Sequence, residues 1–143
     1  MRKLLFTFLL FTFIFISSCD ENMDGKWDPM KWEYKNVSEG IKIVKHDGVN
    51  NGHAKYCAEI NVDKSGTADV VCKNYKGFWF QEYPNMKDEG NSRTQFSMEN
   101  CDIKIDGNTM HCEFVNIEEH DSEKFDIIVT AGDIFFCFHV YIN

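Results

Sequence analysis

Six cysteines and five histidines are the residues of this chain best equipped for chemistry, and their spacing limits what that chemistry is. The cysteines are Cys19, Cys57, Cys72, Cys101, Cys112 and Cys137. No pair has the C-x-x-C spacing of a structural zinc site, and the adjacent His111 and Cys112 point to opposite faces of a strand. No metal or cofactor is expected. Asp102-x-Lys104-x-Asp106-Gly107, with Glu113 in twelfth place, copies the spacing of an EF-hand loop. Lys104 puts a cation where an oxygen ligand belongs, and the flanks alternate as strands, so calcium is not expected either. No G-x-S-x-G, H-E-x-x-H or phosphate-loop pattern occurs. The chain therefore reads as a non-enzyme. A hydrolase is a distant third reading, which a cleft of convergent, pKa-shifted carboxylates would revive.

The best ligand-binding candidate is the run Phe78-Trp79-Phe80-Gln81-Glu82-Tyr83. Alternation puts Phe78 and Phe80 on one face of a strand and Trp79, Gln81 and Tyr83 on the other. If the second face is exposed, it offers aromatic rings beside an amide, the ingredients of a sugar platform. A Trp on a sandwich strand is more often a core anchor, and that is the expectation for Trp79.

These residues need a scaffold, and from Lys31 onward the chain reads as strands. Apolar runs are broken by Gly/Asn/Asp clusters, and no window holds a helical period. Strands are predicted at 41–45, 53–62, 68–75, 78–83, 94–98, 101–105, 108–115, 125–130 and 134–142. The polar stretches 87–92 and 118–123 read as exposed loops. Asp106-Gly107 between alternating segments predicts a type I′ turn, with Ile105 opposite Asn108, Ile103 opposite Met110 and Cys101 opposite Cys112. Directly opposed residues lie within disulfide range, so Cys101 and Cys112 are the candidate bridge; two buried thiols are the alternative. For the 53–75 segment the hydrophobic faces favour a hairpin with Ile60 opposite Val70, Ala58 opposite Cys72 and Gly66 closing a three-residue loop, leaving Cys57 unlinked to Cys72. The last hairpin, turning at Thr130–Asp133, sets Phe125 opposite Phe138, Ile127 opposite Phe136 and Val129 opposite Ile134, at the centre of the core.

The N-terminus is of a different kind. Arg2 and Lys3 precede an apolar run from Leu4 to Ile16 interrupted only by threonines. At about 1.5 Å per residue this run is too short for the ~30 Å hydrocarbon core and fits a signal h-region. Phe15-Ile16-Ser17-Ser18-Cys19 then resembles the lipobox of bacterial lipoproteins. The resemblance implies cleavage before Cys19, diacylglyceryl attachment to its sulfur, and a membrane held as partner through lipid. Residues 1–18 are the expected signal peptide, 19–30 an acidic tether and 31–143 a single domain. The leader carries two of the basic residues and none of the acidic ones, so the mature chain is more acidic than the whole chain's net charge of −8. That excludes nucleic acid as a partner, which needs clustered Lys and Arg.

Asp20-Glu21 after the cysteine resembles the surface-export signal of Bacteroidetes-type lipoproteins, and Trp27-Asp28-Pro29-Met30-Lys31-Trp32 is similar to that group. An Asp directly after the cysteine also resembles an enterobacterial inner-membrane retention signal; the outer membrane is the favoured location. Ser65-Gly66-Thr67 leading into Val70-x-Cys72-x-Asn74-Tyr75, with Ile127-x-Val129-Thr130-Ala131-Gly132-Asp133 at the final hairpin, resembles BACON-type modules. The resemblance spans most of residues 53–143 and departs from the family's closing Gln, since this chain ends Tyr141-Ile142-Asn143. It implies an all-β, immunoglobulin-like β-sandwich. The expected function is a non-catalytic binding, adhesion or scaffold module with a carbohydrate or protein ligand. The runner-up is a lipocalin-like barrel carrying a small apolar ligand, since successive hairpins also suit up-and-down closure.

Overall fold

Hairpin-forming runs with one apolar face must bury that face, and here two sheets bury it against each other. The computed structural model describes residues 28–46 and 57–143, with His46 described by its backbone alone. Cys19, the leader, the tether to Trp27 and residues 53–56 of an expected strand lie outside the described residues.

Among the described residues ten strands form: β1 (Trp32–Lys35), β2 (Ile41–His46), β3 (Cys57–Val62), β4 (Gly66–Cys72), β5 (Trp79–Glu82), β6 (Gln95–Met98), β7 (Cys101–Asp106), β8 (Thr109–Phe114), β9 (Glu123–Ala131) and β10 (Ile134–Ile142). One five-stranded sheet runs β1-β4-β8-β7-β6 and the other β2-β3-β10-β9-β5. Every neighbouring pair is antiparallel except β3 and β10, which are parallel. This is a β-sandwich. The barrel alternative fails because the sheets stay separate and large side chains fill the space between them: Phe80, Phe96, Phe114, Phe136 and Phe138 are all fully buried.

Most strands fall where alternation predicts them, but β1 was not among them. It carries the aromatic hub of the core. Trp32 meets Phe78, Phe136 and Phe138 edge-on, with ring centroids 5.1, 5.3 and 5.1 Å away. Its indole Nε1 is buried and has no hydrogen-bond partner among the described residues.

Three registers differ from expectation. The β7–β8 hairpin closes at Gly107-Asn108, so Ile105 faces Met110, Ile103 faces Cys112 and Cys101 faces Phe114. The β9–β10 hairpin closes at Gly132-Asp133, so Val129 faces Phe136 and Ile127 faces Phe138. In both turns only the first central residue has positive φ, +60° at Gly107 and +65° at Gly132. That is the type II′ pattern, with glycine at the one demanding position, whereas a type I′ turn would force Asp106 or Ala131 to positive φ. Moving a turn by one residue slides the register by two, which leaves every apolar side chain on the same face. Hydrophobic alternation is blind to that slip.

The third correction is larger. β3 and β4 do not pair; the chain crosses from one sheet to the other between them. Ile60 faces Ile43 and Val140 instead of Val70. Gly66 opens β4 and does not have positive φ. It is needed for closeness: a Cβ there would lie 2.5 Å from Ser38 Cβ, where Thr67 N–H donates to Ser38 Oγ at 2.8 Å.

Candidate functional site

The bulge in β5 decides the fate of the expected aromatic platform. Phe80 pairs with Val129 and Glu82 with Ile128, so Gln81 is the extra residue and alternation restarts after it. Tyr83 therefore turns inward. It is 4 % exposed, stacks on Phe96 at 4.3 Å and donates its hydroxyl to Ser92 O at 2.6 Å. Gln81 is exposed, while Trp79 is half-buried beside Thr130 and outside the main core. The structure thus separates the three candidate residues. Trp79, expected as a core anchor, does not pack against the core; Trp32, itself partly buried, does.

The expected Cys101–Cys112 bridge loses its geometry with the register. Each now faces a different partner, and diagonal neighbours stand about 7–8 Å apart, beyond the Cβ spacing of a disulfide. Among the described residues all five cysteines are reduced and buried. Burial, helped by the charges of Glu123 and Asp102, pushes the Cys101 thiol up to about 12. Burial raises Cys112 as well. Both behave as small core hydrophobes.

The outward face of the second sheet carries the richer chemistry. Odd-numbered residues of β10 point outward while Phe136, Phe138 and Val140 fill the core. Cys57 on β3 stands in register with Cys137 on β10, and Ile128 on β9 stands on the other side of Cys137. Cys57, Cys137 and Ile128 form a second small apolar cluster against which Phe135 packs. One step along, Glu59, His139 and Asp126 form the next rung. Cys137 Sγ lies 3.8 and 3.9 Å from the two ring nitrogens of His139. His139 Nδ1 is 2.6 Å from Asp126 Oδ1, which fixes Nδ1 as the protonated nitrogen. The ligand atoms of Cys57, Cys137 and His139 all lie within 4.8 Å of one another.

Cys137, His139 and Asp126 stand in the order of a cysteine-hydrolase relay, but their chemistry is the reverse. A nucleophilic thiol is accessible and acidified. Cys137 is fully buried, and burial followed by the nearby Asp126 charge raises its pKa strongly. Cys57 is raised by the same two causes, against a lowering hydrogen bond from Cys137. The sulfur is nearly equidistant from both ring nitrogens and so is not aligned on either.

Beside this cluster lies an open groove of about 630 Å³, lined by Glu82, Lys124, Asp126, His139 and Tyr141 among others. The one sequence signal for the cluster is Cys137-x-His139, two residues that share a strand face. Cys57 joins them only through the parallel β3–β10 pairing, which no local pattern reveals.

The chain matches no protein-family model and no curated protein. Among solved structures it is similar to the NMR structure of a protein from Bacteroides thetaiotaomicron. That match has 27% identity and a TM-score of 0.49, covering 85% of this chain and 93% of the other. No helix among the described residues is long and apolar enough to cross a membrane.

Proposed function

We propose that this chain is a lipid-anchored, non-catalytic β-sandwich module of the outer membrane, of the BACON-like, immunoglobulin-like type, that binds a polar ligand on the outward face of its second sheet. The observation that carries the reading is the groove along β5, β9 and β10. Its walls combine carboxylates, an ammonium and an imidazole with the half-buried ring of Tyr141. Such a set hydrogen-bonds hydroxyl groups and offers a ring face for a pyranose, so carbohydrate is the ligand class it suits. The buried thiol with raised pKa beside His139 supports the non-catalytic part. The lipobox-like Phe15–Cys19 supports the anchor, because a lipid with two or more acyl chains holds a protein stably where one chain does not.

The test has two parts. Cys19→Ala should abolish lipid labelling and move the protein out of the membrane fraction; retention at high salt would sink the lipid-anchor reading. On a glycan array the wild type should bind a defined set of sugars, and Tyr141→Ala should lose them while still unfolding cooperatively well above the assay temperature. Binding unchanged by Tyr141→Ala would put the ligand elsewhere.

A further inference from the structure

We propose that Cys57, Cys137 and His139 form a binding site for a thiophilic metal ion of the zinc class, with Asp126 as the residue that positions the imidazole. Two thiolates and one imidazole are a soft donor set, which selects such ions over calcium or magnesium. The three side chains converge from two strands held in register, and their ligand atoms already lie within 4.8 Å of one another. Around a tetrahedral ion with Zn–S near 2.3 Å and Zn–N near 2.05 Å, sulfur and nitrogen stand about 3.6 Å apart and two sulfurs about 3.8 Å. Cys137 Sγ and His139 Nε2 are 3.9 Å apart and need contract only by a few tenths of an ångström, whereas the widest pair, within 4.8 Å, must close by up to about an ångström through side-chain rotation, with a turn of the ring toward the sulfurs.

Asp126 supplies the independent second feature. A metal-bound histidine usually donates its other ring N–H to a carboxylate, which sets the tautomer and makes the ligating nitrogen more basic. Here Asp126 Oδ1 accepts a hydrogen bond from His139 Nδ1–H at 2.6 Å, which leaves Nε2 with the lone pair. Asp126 is half-exposed, so it can follow the ring as it turns. Three protein ligands leave a fourth position for water or an outside donor. His139 and Asp126 line the open groove, which provides a route in for the ion. On binding, each thiol releases its proton to solvent as its Sγ–metal bond forms, with no change of oxidation state. A bound ion would also keep two adjacent thiols from joining as a disulfide in an oxidising compartment.

Cobalt(II) is the probe, because its thiolate complexes absorb through sulfur-to-metal charge transfer. The reduced full-length chain in detergent should take up one cobalt per chain with that absorption, and zinc should displace it and raise the melting temperature. Cys57→Ser and Cys137→Ser should each abolish the one-to-one charge-transfer complex. Asp126→Ala, a change at a half-exposed side chain, should keep the band but weaken affinity about 10–100-fold. Three results would overturn the proposal: no charge-transfer absorption from the reduced wild type, a band that survives both serine variants, or cobalt affinity unaltered in Asp126→Ala.

Discussion

The two strand tryptophans show how a residue's burial follows from its backbone neighbours rather than from its type. Trp32 sits on a four-residue edge strand that short-range alternation barely marks, yet it meets three phenylalanines edge-on. Trp79 sits in the most aromatic run of the chain, but Phe78, Phe80 and Tyr83 take the inward positions and leave it half-buried outside. Trp32→Ala should therefore cost about 3–5 kcal/mol, the usual effect of emptying a large aromatic site, despite relieving an unpartnered indole N–H. Trp79→Ala should cost less than half of that. Urea denaturation of both variants checks the order, and equal losses would mean that Trp79 shares the core after all. The aromatic content of β5 was legible in the sequence. The bulge at Gln81, which pulled Tyr83 away from the expected platform, was not, because no glycine or proline marks it.

The strands are more legible in the sequence than their pairings. Alternation identified nine of the ten strands and the correct inward face of β7, β8, β9 and β10, because period-2 burial is a local property. It could not separate registers two residues apart, and turn chemistry had to decide. The Asp-Gly signal pointed to a type I′ turn, but a glycine followed by Asn or Asp serves a type II′ turn at lower strain. Gly107→Ala tests this directly. The nearest atom to an added Cβ is Lys76 O at 4.0 Å, so any cost must come from the φ of +60° and not from crowding. Denaturant melts should show a loss of about 1–3 kcal/mol, the strain of an L-residue in that region. A variant as stable as the wild type would mean that the turn relaxes to another type. The sheet edges follow a consistent physical logic too. β1, β5 and β6 are four residues long, β5 is bulged with Phe80 N–H donating to Arg93 O in the loop beyond, and β2 carries Lys42 and Lys45. Short, bulged or charged edges resist pairing with other chains.

At the scale of the whole molecule the deciding feature is a contact between distant parts of the sequence. β10 occupies the middle of its sheet, antiparallel to β9 from the adjacent hairpin and parallel to β3, which lies some eighty residues earlier: Asn143 Nδ2 donates to Asp63 Oδ1 across a separation of 80 residues. Local patterns cannot announce such a pairing: they favour β3 with β4 and give no sign that Cys57 meets Cys137 and His139. The same topology makes a thermodynamic statement. Losing β10 would leave β2–β3 and β5–β9 as separate pairs with no common sheet, and two-stranded pairs are marginal in water. Opening β10 should therefore require unfolding the whole sandwich, whereas β1, β5 and β6 can open from their edges. Native-state hydrogen exchange should show β3, β9 and β10 amides exchanging with one shared free energy equal to the global value. Amides of β1 and β6 should exchange through smaller, local openings. If β10 amides instead exchanged as readily as those of β6, the parallel pairing would not be the joint that holds the second sheet together, and the Cys57–Cys137–His139 cluster built across it would lose its frame.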